Sequence, residues 1–104
     1  MAFGIKREEL VAWKKLVTQG RSVVFLTHYW LHPKYSSIKT VTKAGCSNID
    51  ILLEWGQKYE LKPEWIHQRD HYPHFDLIGD IQLEILTQEG KYDQIERFHL
   101  KKPH

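Results

Sequence analysis

The segment 22–26, SVVFL, constrains the fold most strongly because its side chains are apolar on both faces. Such a strand has to be covered on both sides, which favours a buried strand over an edge strand. Ahead of it, Leu10, Trp13 and Val17 recur at helical spacing, so we expect a helix over 6–19. This part of the chain predicts a helix that packs on a sheet.

The middle of the chain predicts a strand, a helix and another strand. Residues 38–42, IKTVT, alternate as a short strand does. We expect a second helix from Ser47 to Tyr59, with Asp50 at the capping-box position. The next strand is expected to start at Glu64, after Pro63. Since strand, helix and strand in this order imply a right-handed crossover, the pattern predicts a parallel pair.

The remaining elements complete an α/β prediction. A third helix is expected over 78–90, and 96–100 reads either as an edge strand or as a segment along the body. The length suits a single domain over 1–100, with 101–104 as a disordered tail. We therefore expect a single small α/β domain, with about three helices packed on a small mixed sheet that has a parallel central pair.

Composition narrows the class of protein. Hydrophobic residues make up 41% and charged residues 27% of the chain, which is an ordinary globular balance. The formal net charge is only +2, so tight nucleic-acid binding is not expected. Cys46 is the only cysteine and therefore forms no intrachain disulfide, which suits the cytoplasm. The chain has no signal peptide and no apolar run of membrane length, so we expect a soluble protein without a membrane partner.

The segment 65–76, WIHQRDHYPHFD, is the candidate functional site because it crowds polar groups between large aromatics. On an extended chain His74 and Asp76 share one face. A carboxylate beside an imidazole orients a general base, so His74 is the candidate acid/base and Asp76 its orienting partner. A structural alternative is that Asp76 caps the third helix. His28 follows the first strand, and we expect it to lie in the same pocket.

A metal site is not expected from these residues. His67 and His71 stand four apart, which is metal spacing on a helix, but Pro73 argues against a helix here. The chain lacks a cysteine pair and an HExxH motif, so we predict no cofactor and no stoichiometric zinc. Only a pocket assembled from distant residues, with His28, His67, His74 and Asp76 as ligands, would hold a metal ion.

An anion site is the other chemistry that the sequence suggests. The second helix begins after Gly45, and its N-terminus can bind a phosphate with Lys43 and Arg69 as cations. Cys46 at the same place is a candidate nucleophile, although isolated cysteines are more often buried. His67, His71 and Tyr72 join the candidate ligand-binding residues, while no glycine pattern indicates ATP or NAD.

A cluster of aromatic and basic residues suggests a further, lower-ranked reading. Tyr29, Trp30, Lys34 and Tyr35 interleave rings with a cation, as proteins that bind single-stranded nucleic acid do. Such residues are more often part of the core, and the small net charge makes nucleic acid an unlikely partner in this reading.

Three segments carry a resemblance to a known family: FLTHYW, TVTKAGCSNIDILLEWGQKY and EWIHQRDHYPHFDL. Together they resemble small bacterial proteins of the YneQ type over most of the chain. The stretch 28–76 is also distantly similar to a domain of bacteria and phages that ends in Pro-His-Tyr-Asp. Phe75 replaces that tyrosine here, so any role of its hydroxyl is absent. The resemblance implies a shared site without naming its chemistry.

Two functions follow as expectations. The first is a small cytosolic enzyme or binding protein for a phosphorylated or nucleotide-like ligand. It would use His74 as acid/base, Asp76 as its orienting group, and His28, Lys43 and Arg69 as anion-binding residues. The alternative is a non-catalytic domain whose aromatic and histidine surface recognises a protein partner. A concave pocket would favour the first function and a flat apolar patch the second.

Overall fold

The computed structural model describes residues 4–68 and 71–101. In chain order the elements are α1 (Arg7–Gln19), β1 (Val24–Tyr29), β2 (Thr40–Gly45), α2 (Ile49–Lys58), a 3-10 helix (Pro63–Trp65), β3 (His74–Leu77), α3 (Gly79–Gln88) and α4 (Tyr92–Arg97). This content agrees with the predicted α/β character. Within the described residues there are four α-helices, against about three expected.

The sheet has three antiparallel strands with β2 in the centre. The predicted mixed sheet with a parallel central pair is therefore wrong. The crossover rule assumed that the second helix leads directly into a strand at Glu64, but a 3-10 helix, Pro63–Trp65, occupies that position. The segment 59–73 separates α2 from β3. The strand, helix and strand in direct succession that the crossover rule requires are therefore absent, and β3 runs antiparallel to β2.

Contacts group the described residues into two compact units. Unit 1 holds Gly4, Thr27–Thr42 and 77–101, and unit 2 holds Ile5–Leu26, 43–68 and 71–76. Each strand contributes residues to both units. The single domain over 1–100 stays a prediction, and most of the predicted tail, 101–104, lies outside the described residues.

The strand β1 lies at an edge of the sheet, so the prediction that it avoids an edge is wrong. Its apolar faces are nevertheless covered inside unit 2. Leu26 belongs to a core cluster with Trp13 and Val17 of α1. Phe25, which points the other way, meets the ring of Trp55 of α2 at 5.7 Å between centroids. The apolar pattern of β1 indicated that both of its faces are covered by other side chains. It did not indicate how many strands are hydrogen-bonded to β1.

Helix ends follow local chemistry, with two corrections. The helix α1 ends at Gly20, whose φ of 62° is the left-handed conformation that glycine favours. The cap of α2 is Asn48 and not Ser47, since the Asn48 side chain accepts hydrogen bonds from the backbone N–H groups of Asp50 and Ile51. The expected capping box at Asp50 is therefore wrong.

The last two helices also differ from expectation. The helix α3 confirms the predicted third helix, but its N-cap is Ile78, without a side-chain cap. Asp76 therefore does not cap it. Residues 92–97 form α4, so the expected edge strand over 96–100 is wrong at its start, while the alternative of a segment along the body stays a prediction. Leu100 lies beyond α4, where its N–H donates to the Ile95 carbonyl.

A directed chain of hydrogen bonds joins the strands and helices of unit 1. The Thr40 hydroxyl donates to Gln82 Oε1 at 3.1 Å, and Gln82 Nε2 donates to Thr42 Oγ1 at 2.9 Å. The Thr27 hydroxyl donates to Gln94 Oε1 at 2.7 Å. Because an amide oxygen only accepts, the 2.6 Å contact between the two buried hydroxyls has Thr42 as donor and Thr27 as acceptor.

Replacement of the central hydroxyl should destabilise the protein. In Thr42→Val the buried Gln82 amide loses its acceptor and Thr27 loses its donor, so we expect the free energy of unfolding to fall by about 1–3 kcal/mol. Urea denaturation measures this change. Thr42→Ser keeps the hydroxyl and should lose less. A Thr42→Val protein as stable as the wild type would show that these hydrogen bonds contribute nothing to stability.

Candidate functional site

The strand β3 separates the polar side chains of the site from the core. Phe75 and Leu77 are buried, whereas His74 is partly accessible and Asp76 exposed. This confirms the alternation predicted from the sequence, with the imidazole and the carboxylate on one face. Gly56 of α2 leaves room for the buried side, because a Cβ there would lie 2.8 Å from the Phe75 ring.

His67 lies beside this face through an antiparallel bridge to His74. Their backbones exchange two hydrogen bonds, His67 N to His74 O at 2.8 Å and His74 N to His67 O at 2.9 Å. The two imidazole rings are stacked, with centroids 5.4 Å apart. The extended backbone at His67 rules out a helical metal pair with His71. Sequence spacing alone did not reveal that the partner of His67 is His74.

The Asp76 carboxylate is shared between the two imidazoles. Its Oδ2 lies 3.1 Å from His67 Nε2, and its Oδ1 lies 3.4 Å from His74 Nε2. The other nitrogen of His74, Nδ1, is 2.8 Å from the backbone oxygen of Tyr72, which only accepts. Both nitrogens of His74 therefore face acceptors, one on the backbone and one on Asp76.

The electrostatics of the site favour the ionised carboxylate. Burial raises the pKa of Asp76, but the hydrogen bond from His74 and the charges of His74, His67 and Lys43 outweigh it. The pKa of Asp76 is consequently lowered from its ordinary value of 3.8. The site holds a negative charge between two groups that can each carry a proton.

An open cavity of about 400 Å³ contains these groups. Its lining residues, all in unit 2, are Leu10, Trp13, Lys14, Lys43, His67, Tyr72, His74 and Asp76. The Lys14 ammonium lies 5.2 Å from the centre of the Tyr72 ring, and the Lys43 ammonium lies 5.9 Å from the Trp13 ring. The cavity thus combines two cations, one carboxylate, two imidazoles and aromatic walls.

Five of the nine predicted site residues line this cavity: Lys43, His67, Tyr72, His74 and Asp76. His28 does not line it. It is buried in unit 1, with Nδ1 donating to the Tyr29 carbonyl at 2.9 Å. The sequence placed His28 just past the end of the first strand, but His28 is a residue of β1 itself, so that placement is wrong.

The other predicted residues have different surroundings. Cys46 is fully buried, which fits the interpretation of this residue as a buried structural cysteine. Its thiol has no access to a ligand. His71 is exposed, with a positive φ of 65°. Arg69 lies outside the described residues.

Residues of α1 in the cavity wall were missed. Leu10, Trp13 and Lys14 line it, but the sequence assigned the first two only to a core face. Lys14 follows Trp13 directly in the sequence. A cation at the border of an apolar helical face could have indicated that this helix also contributes to a polar cavity.

Metal binding remains limited by geometry. Among residues 4–68 and 71–101, no three His, Cys, Asp or Glu side chains are grouped so that they could hold a metal ion. The absence of stoichiometric zinc stays a prediction, which elemental analysis of the purified protein tests. None of the helices in the described ranges has the length and apolarity that crossing a membrane requires.

The fold and site define a small α/β protein with a His–Asp–His cavity. No family model matches the chain, and no solved structure matches it significantly. Over 100 residues it is 56% identical to Uncharacterized protein YneQ of Bacillus subtilis (strain 168), covering 96% of this chain and 100% of the relative. The chain belongs to the YneQ family, as the resemblance predicted. The distant similarity to the bacterial and phage domain stays a prediction.

The lowered pKa of Asp76 predicts a pH-dependent contribution to stability. The pKa of Asp76 is lower in the folded protein than in the unfolded chain. The ionised carboxylate therefore stabilises the fold at pH values above the pKa of the unfolded chain. This stabilisation is lost as the pH falls through the pKa of the folded protein. We expect Asp76→Asn to be less stable than the wild type above about pH 3.8, with the difference disappearing in more acidic solution. Thermal melts across the acidic range measure the difference.

An exposed carboxylate on α2 provides the control. Glu54→Gln should show no such acid-dependent difference from the wild type. Equal stability of Asp76→Asn and the wild type at neutral pH would contradict a stabilising His–Asp–His arrangement.

Proposed function

We propose that the cavity of unit 2 binds a small phosphorylated or nucleotide-like anion, with His67 as the acid/base group. One observation carries this proposal: a carboxylate lies between two imidazole Nε2 atoms in a cavity that two lysines also line. This arrangement combines proton transfer with anion binding.

The balance of charge in the cavity favours an anion. Lys14 and Lys43 outnumber the single carboxylate of Asp76, and each protonated imidazole adds another positive charge. Each Asp76 oxygen already contacts one histidine, and the two lysines are cations of the cavity that a ligand can also meet. Hydrogen bonds between ammonium groups and phosphate oxygens are charge-assisted and therefore strong. This excess of cations supports an anionic ligand.

The exposures support His67, and not His74, as the group that transfers a proton. The His74 side chain is 12% exposed and has Nδ1 bonded to the Tyr72 carbonyl, whereas His67 is 50% exposed. When His67 Nε2 donates to Asp76, the neutral ring carries its lone pair on Nδ1. That nitrogen accepts a proton as a general base and returns it as an acid. The acid/base role that the sequence suggested for His74 is therefore proposed for His67.

The aromatic walls suit the organic part of such a ligand. Tyr72 is partly accessible, and the mostly buried Trp13 also lines the cavity. Aromatic side chains contribute apolar area and stack on planar groups, including nucleobases. A volume of about 400 Å³ lies within the range of roughly 300–1,000 Å³ for small-ligand pockets. We also place the protein in the cytoplasm, which the single cysteine supports.

The alternative of a non-catalytic protein-interaction domain rests on exposed apolar side chains. In unit 2, Val11 is 54%, Leu16 47% and Trp65 50% exposed. Single exposed apolar residues are common on monomeric proteins and do not by themselves define an interface. The concave His–Asp–His cavity supports the ligand-binding proposal more specifically.

Titration of the full-length protein with inorganic phosphate and with adenosine monophosphate tests the proposal. In ¹H–¹⁵N NMR spectra we expect saturable shifts of the amide signals of His67, Tyr72 and Asp76. Lys43→Gln should weaken binding about tenfold or more, because a hydrogen bond to a charged group contributes about 1.5–3 kcal/mol. Absence of shifts at these amides with both probes would contradict an anion site.

A second lysine of unit 2 serves as the matched control. Lys58 lies on α2 and does not line the cavity, so Lys58→Gln should bind both probes as the wild type does. Equal weakening by the two substitutions would indicate a general charge effect and no specific site.

A further inference from the structure

The charges of the chain are distributed unevenly along the sequence. Between Glu9 and Asp50 there is no acidic residue, whereas six basic residues occur there: Lys14, Lys15, Arg21, Lys34, Lys39 and Lys43. The net charge of the whole chain is small because the acidic residues outside this stretch offset its positive charge. In unit 1 the segment Thr27–Thr42 therefore carries Lys34 and Lys39 as its only Lys, Arg, Asp or Glu residues.

The loop between β1 and β2 exposes apolar and aromatic side chains. Leu31 is 77% and Tyr35 is 54% exposed. The ring of His32 lies between those of Trp30 and Tyr35, at 5.1 Å from each. An aromatic cluster at a loop exposes surface that a core would normally bury, which is typical of a binding surface.

Hydrogen bonds link the backbone of this loop to itself and to the His32 ring. The Trp30 N–H donates to the Lys39 carbonyl at 2.8 Å. His32 Nδ1 accepts from the backbone N–H groups of Lys34 and Tyr35, at 2.9 and 3.0 Å. The exposed rings are therefore positioned in advance, which lowers the entropic cost of binding a partner.

A second cavity, of about 530 Å³, adjoins the loop in unit 1. Its lining includes Tyr29, Ser37, Lys39, Thr40, Phe98 and Lys101. Tyr29 forms an edge-to-face pair with Phe98 at 4.9 Å and keeps 37% of its surface exposed. Two lysines and one carboxylate, Asp80, give the cavity an excess of positive charge over its Asp and Glu residues.

We propose that the β1–β2 loop and this cavity bind single-stranded nucleic acid. Lys34, Lys39 and Lys101 meet phosphates, and Tyr29 and Tyr35 offer rings on which bases stack. Stacking on aromatic rings tolerates any sequence, because every base has a flat face. The expectation that nucleic acid is an unlikely partner rested on the net charge and not on its distribution. Three phosphate contacts imply weak binding with a modest salt dependence, a slope of log K against log salt of about −2.1.

Fluorescence anisotropy with a labelled oligouridine of about twelve nucleotides tests the proposal on the full chain at low salt. We expect saturable binding. Tyr35→Ala should weaken it about tenfold, because it removes a ring on which one base stacks. The double variant Lys34→Gln/Lys39→Gln should reduce the slope of log K against log salt by about 1.4, because each contact to a single strand contributes about 0.7.

Two variants serve as controls. Tyr92→Ala removes another exposed tyrosine of unit 1, on α4, and should leave oligouridine binding unchanged. Lys43→Gln, in the cavity of unit 2, should also leave it unchanged, so that this proposal and the anion site fail or succeed separately. Circular dichroism melts verify that every variant folds.

Three results would overturn the proposal. The first is the absence of saturable binding at protein concentrations up to about 10⁻⁴ M, the weak limit of typical non-specific binding. The second is binding that Tyr35→Ala and the double lysine variant leave unchanged. The third is flotation with phosphatidylserine vesicles in the absence of oligouridine binding, which would assign the loop to a membrane surface instead.

Discussion

The structure of unit 2 depends on the indole of Trp13, which ties α1 to all three strands. Its Nε1–H donates to the Val24 carbonyl of β1 at 3.0 Å, and its ring meets His74 of β3 edge-on at 5.9 Å. On β2, Gly45 permits the close approach, since a Cβ at that position would lie 2.7 Å from Trp13 Cζ2. A large ring with one polar edge satisfies packing and hydrogen bonding together.

The same ring connects the core to the cavity. Because side chains alternate along a strand, His74 and Asp76 emerge on one face of β3 while Phe75 packs on the other. Trp13 and its neighbour Lys14 close one side of the space above them. The supporting residues lie on regular elements, which hold functional groups more firmly than loops do. A substitution of Trp13 in α1 would therefore disturb both the packing of the core and the wall of the cavity.

The sequence predicted local features well because they depend on neighbouring residues. The alternation along 74–77 and the helix stop at Gly20 each follow from backbone geometry within a few positions. Strand direction depended on the path of 59–73, which holds a 3-10 helix where a strand was expected. The edge position of β1 likewise depended on its partners and not on its own apolar pattern.

The candidate site was predicted in part for the same reason. Two groups on one strand were recognisable as a pair, but the bridge between His67 and His74 is a tertiary contact that spacing does not reveal. His28 was included through a rule for parallel sheets, which does not apply to this antiparallel one. The most direct measurement of the anion site is anomalous diffraction from crystals soaked in tungstate, an analogue of phosphate. We expect a tungsten peak in the cavity between Lys43 and His67, whereas peaks found only outside it would contradict the anion site.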